Sequence, residues 1–285
     1  MEIPVKTLRS GFGLPVFGLG TWGFGEGDDT ADIIAIKTAL EHGMTHFDTA
    51  ESYADGGTER IVGRAVKGTE REKLTIVSKV HPRHSRYTGD GIVAACEASL
   101  KRLDTDYLDL YLLHRAVPPE IPVEETVRGL ERLIERGLIR QYGVSNQTKE
   151  SLAQVEAAGE NAVVTNQVHY SLICREPERS GLLEACQERD VLVTSYESIE
   201  QGELAKHPAP ILVEVAERYG KTPVQTAINW VISQPNVIAI VKAGTTAHLE
   251  ENLGAVGWEM APEDLERLRD DYPGQRDVSD MVRLG

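Results

Sequence analysis

At 285 residues the chain is long for one ordinary domain but normal for an α/β barrel, and its 41% hydrophobic content is enough for a sizeable core. Thirty basic against 45 acidic residues give a formal net charge of −15, a field that repels nucleic acid and anionic membranes and argues against both as partners. No run of 18 apolar residues marks a membrane span, and the N-terminal Met1-Glu-Ile-Pro-Val-Lys lacks the apolar core of a secretory leader.

The chain in order begins with residues 8–14, a small hairpin with a glycine turn that would cap one end of the fold. Residues 17–21 read as a first short strand. Asp28 then opens an amphipathic helix carried by Ile33, Ile34, Ile36 and Leu40 and stopped at Gly43. The pattern repeats. A strand ending at Asp48 precedes a helix over 58–67, a strand ending at Lys79 precedes a helix over 90–103, and a strand ending at His114 leads through a Pro-rich loop into a helix over 123–136. Further strands are predicted over 140–146, 163–168, 191–196 and 237–242. Helices are expected over 149–158, 178–189, 209–219, 223–233, 247–253 and 262–271, followed by a short polar tail.

Eight short apolar strands alternating with helices predict a (β/α)8 TIM barrel with an N-terminal β-hairpin and extra helices; an open doubly wound sheet is the structural alternative. No composition break marks a second domain, so 1–285 reads as a single barrel domain. The three cysteines, Cys96, Cys174 and Cys186, are odd in number and lack metal-ligand spacing. They predict reduced thiols in a cytoplasmic protein and no metal site. Arginine outnumbers lysine about two to one, and the acid-rich, lysine-poor balance suits either concentrated salt or an ordinary acidic cytoplasm.

Gly18-Leu-Gly20-Thr-Trp22-Gly23 matches the dinucleotide-binding glycine pattern on paper. A bulky Trp would sit where backbone should approach pyrophosphate, and the next helix starts several residues later, so the Rossmann reading is rejected. In a barrel the chemistry sits at the strand ends. Those ends are Thr21/Trp22, Asp48, Lys79, His114, Ser145/Asn146, Gln167, Tyr196 and Lys242. Each alone has a structural explanation, as a cap, a rim charge or a hydrogen-bonded core group; all at one mouth form a candidate site.

These residues sit in stretches that resemble the aldo-keto reductase superfamily: Gly18-Leu-Gly-Thr-Trp22, Phe47-Asp-Thr-Ala-Glu-Ser-Tyr53, Ser78-Lys79, Tyr107-Leu-Asp-Leu-Tyr-Leu-Leu-His114, Gly143-Val-Ser-Asn146, Asn166-Gln167, and Tyr219 to Gln225 with Trp230, closing at Glu251-Asn252. The resemblance covers nearly the whole chain. It implies an NAD(P)H-dependent oxidoreductase that reduces aldehydes or ketones, or runs the reverse reaction, with a small-molecule carbonyl substrate. It places the catalytic tetrad on Asp48, Tyr53, Lys79 and His114, with Tyr53 as general acid. Ser145, Asn146 and Gln167 fall on positions that hydrogen-bond the nicotinamide carboxamide, Tyr196 on the ring that stacks against it, and Lys242 and Asn252 on the adenosine half. Gly20, Thr21, Trp22, Glu197, Ser198, Gly244, His248 and Glu251 complete the expected cofactor contacts, and Trp22, Tyr53, His81, His114 and Arg115 the substrate pocket.

The chemistry agrees. Tyrosine, with a pKa near 10, is a weak acid near neutrality; a Lys79 ammonium is expected to lower that pKa, with Asp48 holding the lysine.

Departures from the family pattern bear on the ligands. Where many members carry a serine and a phosphate-gripping arginine after the last strand, this chain has Ala243 and His248. Lys242 still points to NADP(H), with NAD(H) or dual use the alternative. Glu197 and Glu200 stand in the loop expected to close over pyrophosphate and are read as solvated carboxylates. Arg115 replaces a common pocket tryptophan and, with His81, suggests an oxygen-rich or anionic carbonyl substrate unless it pairs with a surface carboxylate. The short tail after Tyr272 argues against a large C-terminal substrate loop. Two other functions compete: a cofactor-binding regulatory barrel with little turnover, and a Schiff-base lyase using Lys79.

Overall fold

The computed structural model describes residues 3–83 and 87–285; Met1 and Glu2, at the start of the stretch that lacks a leader's apolar core, lie outside them. An antiparallel pair, β1 (Val5–Thr7) and β2 (Gly13–Pro15), comes first. The barrel strands are β3 (Phe17–Gly20), β4 (His46–Asp48), β5 (Thr75–Val80), β6 (Leu108–Leu113), β7 (Ile139–Ser145), β8 (Thr165–His169), β9 (Leu192–Tyr196) and β10 (Val237–Val241). They are parallel and close in the order β10-β3-β4-β5-β6-β7-β8-β9. The helices are α1 (Asp29–Glu41), α2 (Gly57–Val66), α3 (Gly89–Leu103), α4 (Val123–Glu135), α5 (Lys149–Ala158), α6 (Glu176–Arg179), α7 (Leu182–Glu188), α8 (Glu203–Lys206), α9 (Pro210–Arg218), α10 (Pro223–Ile232), α11 (Thr246–Leu253) and α12 (Pro262–Asp271).

Local sequence sets the helix starts. Asp28, Thr88, Thr148, Thr222 and Thr245 accept a backbone N–H from the first turn of α1, α3, α5, α10 and α11. Thr222 and Gln225 form a reciprocal capping box. Prolines at the first position of α9, α10 and α12 already hold a helical φ.

Two apolar layers hold the fold. The larger lies between the strands and the helix ring, from Phe17 and Phe47 to Trp230 and Leu268. The smaller fills the barrel's centre with Val77, Leu110, Leu112, Val164, Leu192 and Ile238, and the hairpin's Leu8, Leu14 and Phe12 close it. The hairpin does cap the barrel, but residues 8–12 are its turn and the paired strands flank them. Gly18 matters in this interior. A Cβ there would lie 2.7 Å from His46 Cγ, so its absence makes room for the imidazole.

Register then sets the site. Gly20 lies opposite Asp48, Asp48 opposite Val77, Lys79 opposite Leu112, and Ser145 opposite Gln167, so the polar strand ends gather on one rim. Three segments differ from the sequence reading. The predicted helix over 178–189 is two pieces, α6 and α7, because Gly181 turns with φ 75° between them. Residues 200–206 form a 3-10 turn and α8, too short to show a helical period. The polar tail folds back on the barrel: Arg276 exchanges backbone hydrogen bonds with Ile173 and Arg175, and Gly285 N–H donates to the Asn146 carbonyl at 2.9 Å.

Candidate active site

β4 and β5 deliver an aspartate and a lysine into the interior, where both are essentially fully buried. Lys79 Nζ donates to Asp48 Oδ1 at 2.5 Å, to the Thr49 carbonyl at 2.8 Å and to Tyr53 Oη at 3.3 Å. Asp48 Oδ2 accepts from Gln167 Nε2 at 2.8 Å. An isolated buried charge costs several kcal/mol; here the pair and its hydrogen bonds offset that. Burial alone would lower the Lys79 pKa, but Asp48 and Tyr53 outweigh it and hold the ammonium above its usual value.

Tyr53 begins a 3-10 turn, Tyr53–Gly56, in which Ala54 and Asp55 take left-handed backbone at φ 46° and 49°. Its pKa is raised, against the expectation from sequence. Burial is the largest cause and Lys79 opposes it without prevailing. Asp48, which pairs with the ammonium at 2.5 Å, adds to the rise by offsetting part of the Lys79 field.

His114 comes directly after β6, and Ser52 Oγ lies 3.5 Å from its Nδ1. Burial, then the charges of Lys79 and Arg115 and the His81 imidazole, holds its pKa well below the usual histidine value, so the ring is neutral at pH 7. Tyr53 and His81 stand edge-on to it, with ring centroids 5.8 and 5.3 Å away.

The opposite wall is a polar chain. Ser145 Oγ donates to the Gln167 carbonyl at 2.8 Å, Asn146 Nδ2 to Ser145 Oγ at 2.8 Å, and Tyr196 Oη to Asn146 Oδ1 at 2.7 Å. Asn146 holds a left-handed φ of 59°. Gln167 Nε2 gives one of its two N–H groups to Asp48, and its side chain lines the cavity.

These groups border a cavity of about 890 Å³. Trp22, Asp48, Tyr53, His81, His114 and Arg115 line it, as do Gly20, Thr21, Ser145, Asn146, Gln167, Tyr196, Glu197 and Ser198. Lys242, Gly244, His248, Glu251 and Asn252 also line it. Every sequence-predicted site residue is therefore brought to one cavity except Lys79, which lies beneath its floor.

The cavity suits an elongated, amide-bearing, anionic ligand such as a nicotinamide dinucleotide. Its lining includes the Asn146 and Gln167 amides, Lys242, and His248 in the first turn of α11, whose dipole favours anions. Thr21 and Ser198 shape the wall, since Thr21 Oγ1 donates to the Asp48 carbonyl and Ser198 Oγ bonds Ser195 Oγ.

Two expectations change. Glu200 is not solvated: it is 8% exposed and accepts from His169, Ser171 and Arg276, away from the cavity. The tail does reach the site, where Met281 and Val282 line the cavity. The local sequence carries one faint signal of this, the adjacent apolar pair Met281-Val282 in a largely polar tail. Gln201, Gly202 and Arg83 also line the cavity, and no motif in the sequence points to them. Arg115 forms no ion pair among the described residues.

The profile of the Aldo/keto reductase family matches residues 16–271. Methylglyoxal reductase YeaE of Escherichia coli (strain K12) is 39% identical over 277 residues, spanning 94% of this chain and 95% of its own. The crystal structure of the thermostable aldo-keto reductase Tm1743 in complex with the inhibitor epalrestat superposes with a TM-score of 0.89 at 41% identity, covering 94% of this chain and 99% of that one. An aldo/keto reductase from Klebsiella pneumoniae, solved with NADP and acetate, gives 0.86 at 35% identity over 100% of both chains.

Proposed function

Because the chain belongs to the aldo/keto reductase family and is an oxidoreductase acting on carbonyl groups, we propose that it reduces small aldehydes and ketones with NADP(H), with Tyr53 as proton donor. The observation that carries the role of Tyr53 is its hydroxyl, 3.3 Å from the buried Lys79 ammonium, in a cavity also lined by the Asn146 and Gln167 amides. A bound nicotinamide supplies the hydride. Ser145, Asn146 and Gln167 would hold its carboxamide, Tyr196 would back its ring, and Gly20, Thr21, Trp22, Glu197, Ser198, Gly244, His248, Glu251 and Asn252 would border the remainder, since all of them line the cavity.

On the protein side, neutral His114 donates a hydrogen bond to the carbonyl oxygen and orients it. Tyr53 gives its proton to that oxygen as negative charge develops there, and the Lys79 ammonium stabilises the phenolate left behind. Asp48 is the positioning partner that keeps Lys79 charged and in place. A Schiff-base role for Lys79 lacks support: a nucleophilic lysine needs a free amine facing the cavity, and this one is a triply bonded ammonium below it. A regulatory barrel with little turnover also lacks support, since the whole tetrad is assembled.

The preference for NADP(H) rests on Lys242 beside the start of α11. NAD(H) or dual use is a second reading, favoured by buried Ala243 and exposed His248, neither of which grips a phosphate as a guanidinium does. Glu197 lines the cavity, and burial raises its pKa above the usual carboxylate value. Arg115 points to an oxygen-rich or anionic carbonyl substrate. Its charge is felt at His114, Tyr53 and Tyr196, and no carboxylate among the described residues neutralises it. The relative named for methylglyoxal makes small oxoaldehydes the first compounds to try. Reduced, buried Cys96, Cys174 and Cys186 support a cytoplasmic setting, and we read 1–285 as one working domain.

The test is loss of NADPH absorbance against a panel of neutral and carboxylate-bearing aldehydes, repeated with NADH. Tyr53→Phe is the control and Arg115→Ala the probe of substrate charge. Full activity in Tyr53→Phe would end the mechanism, and an unchanged KM for acidic aldehydes in Arg115→Ala would end the anionic reading.

A further inference from the structure

Behind the cavity wall lies a buried polar cluster that the reaction above does not use. His169 ends β8 and is 2% exposed. Register sets it beside Tyr196, and the two rings stack with centroids 5.7 Å apart and planes 23° from parallel. Its Nε2 is 2.9 Å from Glu200 Oε1 and its Nδ1 is 2.8 Å from Ser279 Oγ.

Each partner belongs to a different flap of the cavity. Glu200 sits in the segment after β9, where Glu197, Glu200 and Gln201 all hold left-handed backbone at φ 56°, 50° and 53°. That conformation is costly for residues with side chains and needs outside restraint. Ser279 Oγ accepts the backbone N–H groups of Met281 and Val282, the two tail residues that line the cavity. Two further contacts join the flaps directly: Arg276 NH2 donates to Glu200 Oε2 at 2.7 Å, and Gln201 Nε2 lies 3.3 Å from Met281 Sδ.

His169, Glu200 and Asp280 bring ligand atoms within 4.8 Å of one another, as a metal site would. Arg276, however, bonds both carboxylates, so a guanidinium already supplies the cation.

We propose that His169 is a positioning residue that joins the two halves of the cavity: it backs the Tyr196 ring and, through Glu200 and Ser279, holds the 197–202 loop and the 276–282 tail as one unit. This rests on the reading of Tyr196 as the ring behind the nicotinamide. Cofactor and carbonyl substrate then do not bind independently, because the loop borders one and the tail the other. A change in the tail is felt at the cofactor through this loop.

Two variants test this. His169→Phe keeps a flat ring against Tyr196 but removes both hydrogen bonds; Arg276→Met cuts the link from tail to loop at a partly exposed position. NADPH affinity is read by quenching of Trp22, the tryptophan that lines the cavity, and KM and kcat with a small aldehyde. Both variants should weaken NADPH binding about tenfold and raise carbonyl KM in parallel, with kcat at saturation within about threefold because the tetrad is untouched. Wild-type NADPH affinity in both variants, each shown folded by circular dichroism, overturns the proposal. So does an Arg276→Met variant whose carbonyl KM rises while NADPH affinity stays put, since the halves are then uncoupled. Failure of the wild type to bind NADPH at all counts against the proposed cofactor, not against this coupling.

Discussion

Tyr53 carries the sharpest predictions at the scale of single residues. Tyr53→Phe removes the proposed proton donor and leaves the fold alone, so kcat should fall by about 10²–10⁴, with NADPH binding changed little. The pH profile is set by the two shifted groups. Reduction needs Tyr53 protonated, and its pKa is raised, so activity should hold through neutral pH and fall only as the phenol ionises above the ordinary value near 10. His114, depressed by burial and neighbouring charge, stays neutral and should add no break between about pH 6 and 7. A kcat/KM profile that bends near 6.5 would contradict this. Lys79→Met tests the ion pair: it strands Asp48 in a buried site and should cost about 3–5 kcal/mol of stability as well as activity, read by denaturant unfolding. The sequence placed Asp48, Lys79 and His114 at strand ends with Tyr53 just beyond the first, and the family resemblance pointed to their roles. It missed the direction of the Tyr53 shift, because that depends on how deeply the phenol is buried and how completely Asp48 cancels Lys79.

Among the elements, close packing of the helix ring sets the tolerance to change. α2 crosses the end of α3 at Gly63, where an added Cβ would lie 2.4 Å from the Leu103 carbonyl oxygen. Backbone cannot swing aside as a side chain does, so Gly63→Ala should cost about 1–3 kcal/mol and lower Tm by several degrees. Gly27→Ala, with nothing near its Cβ, is the matched control and should stay within about 0.5 kcal/mol of wild type. Helix starts were legible because their signals are local: Thr148 opens α5 and Pro262 α12 where the sequence placed them. The break between α6 and α7, the α8 turn and the path of the tail were not, since too few residues repeat in each to show a period.

For the molecule as a whole, the net charge of −15 spread over one barrel is self-repelling. Tm should therefore rise between about 0.05 and 0.5 M KCl as the Debye length shrinks from roughly 14 Å to 4 Å; a flat response would place the acidic groups too far apart to matter. The sequence by itself determined the barrel and the strand ends that carry Asp48, Lys79 and His114, because alternating apolar runs, caps and strand-end side chains are properties of neighbours along the chain; the family was legible in the resemblance of its motifs. Only the tertiary structure decided that Lys79 lies under the cavity floor, that Glu200 turns inward to His169, and that Met281 and Val282 return across the molecule to the mouth. Each of those depends on which distant groups meet once the barrel has closed, and burial and charge pairing take their values from that meeting.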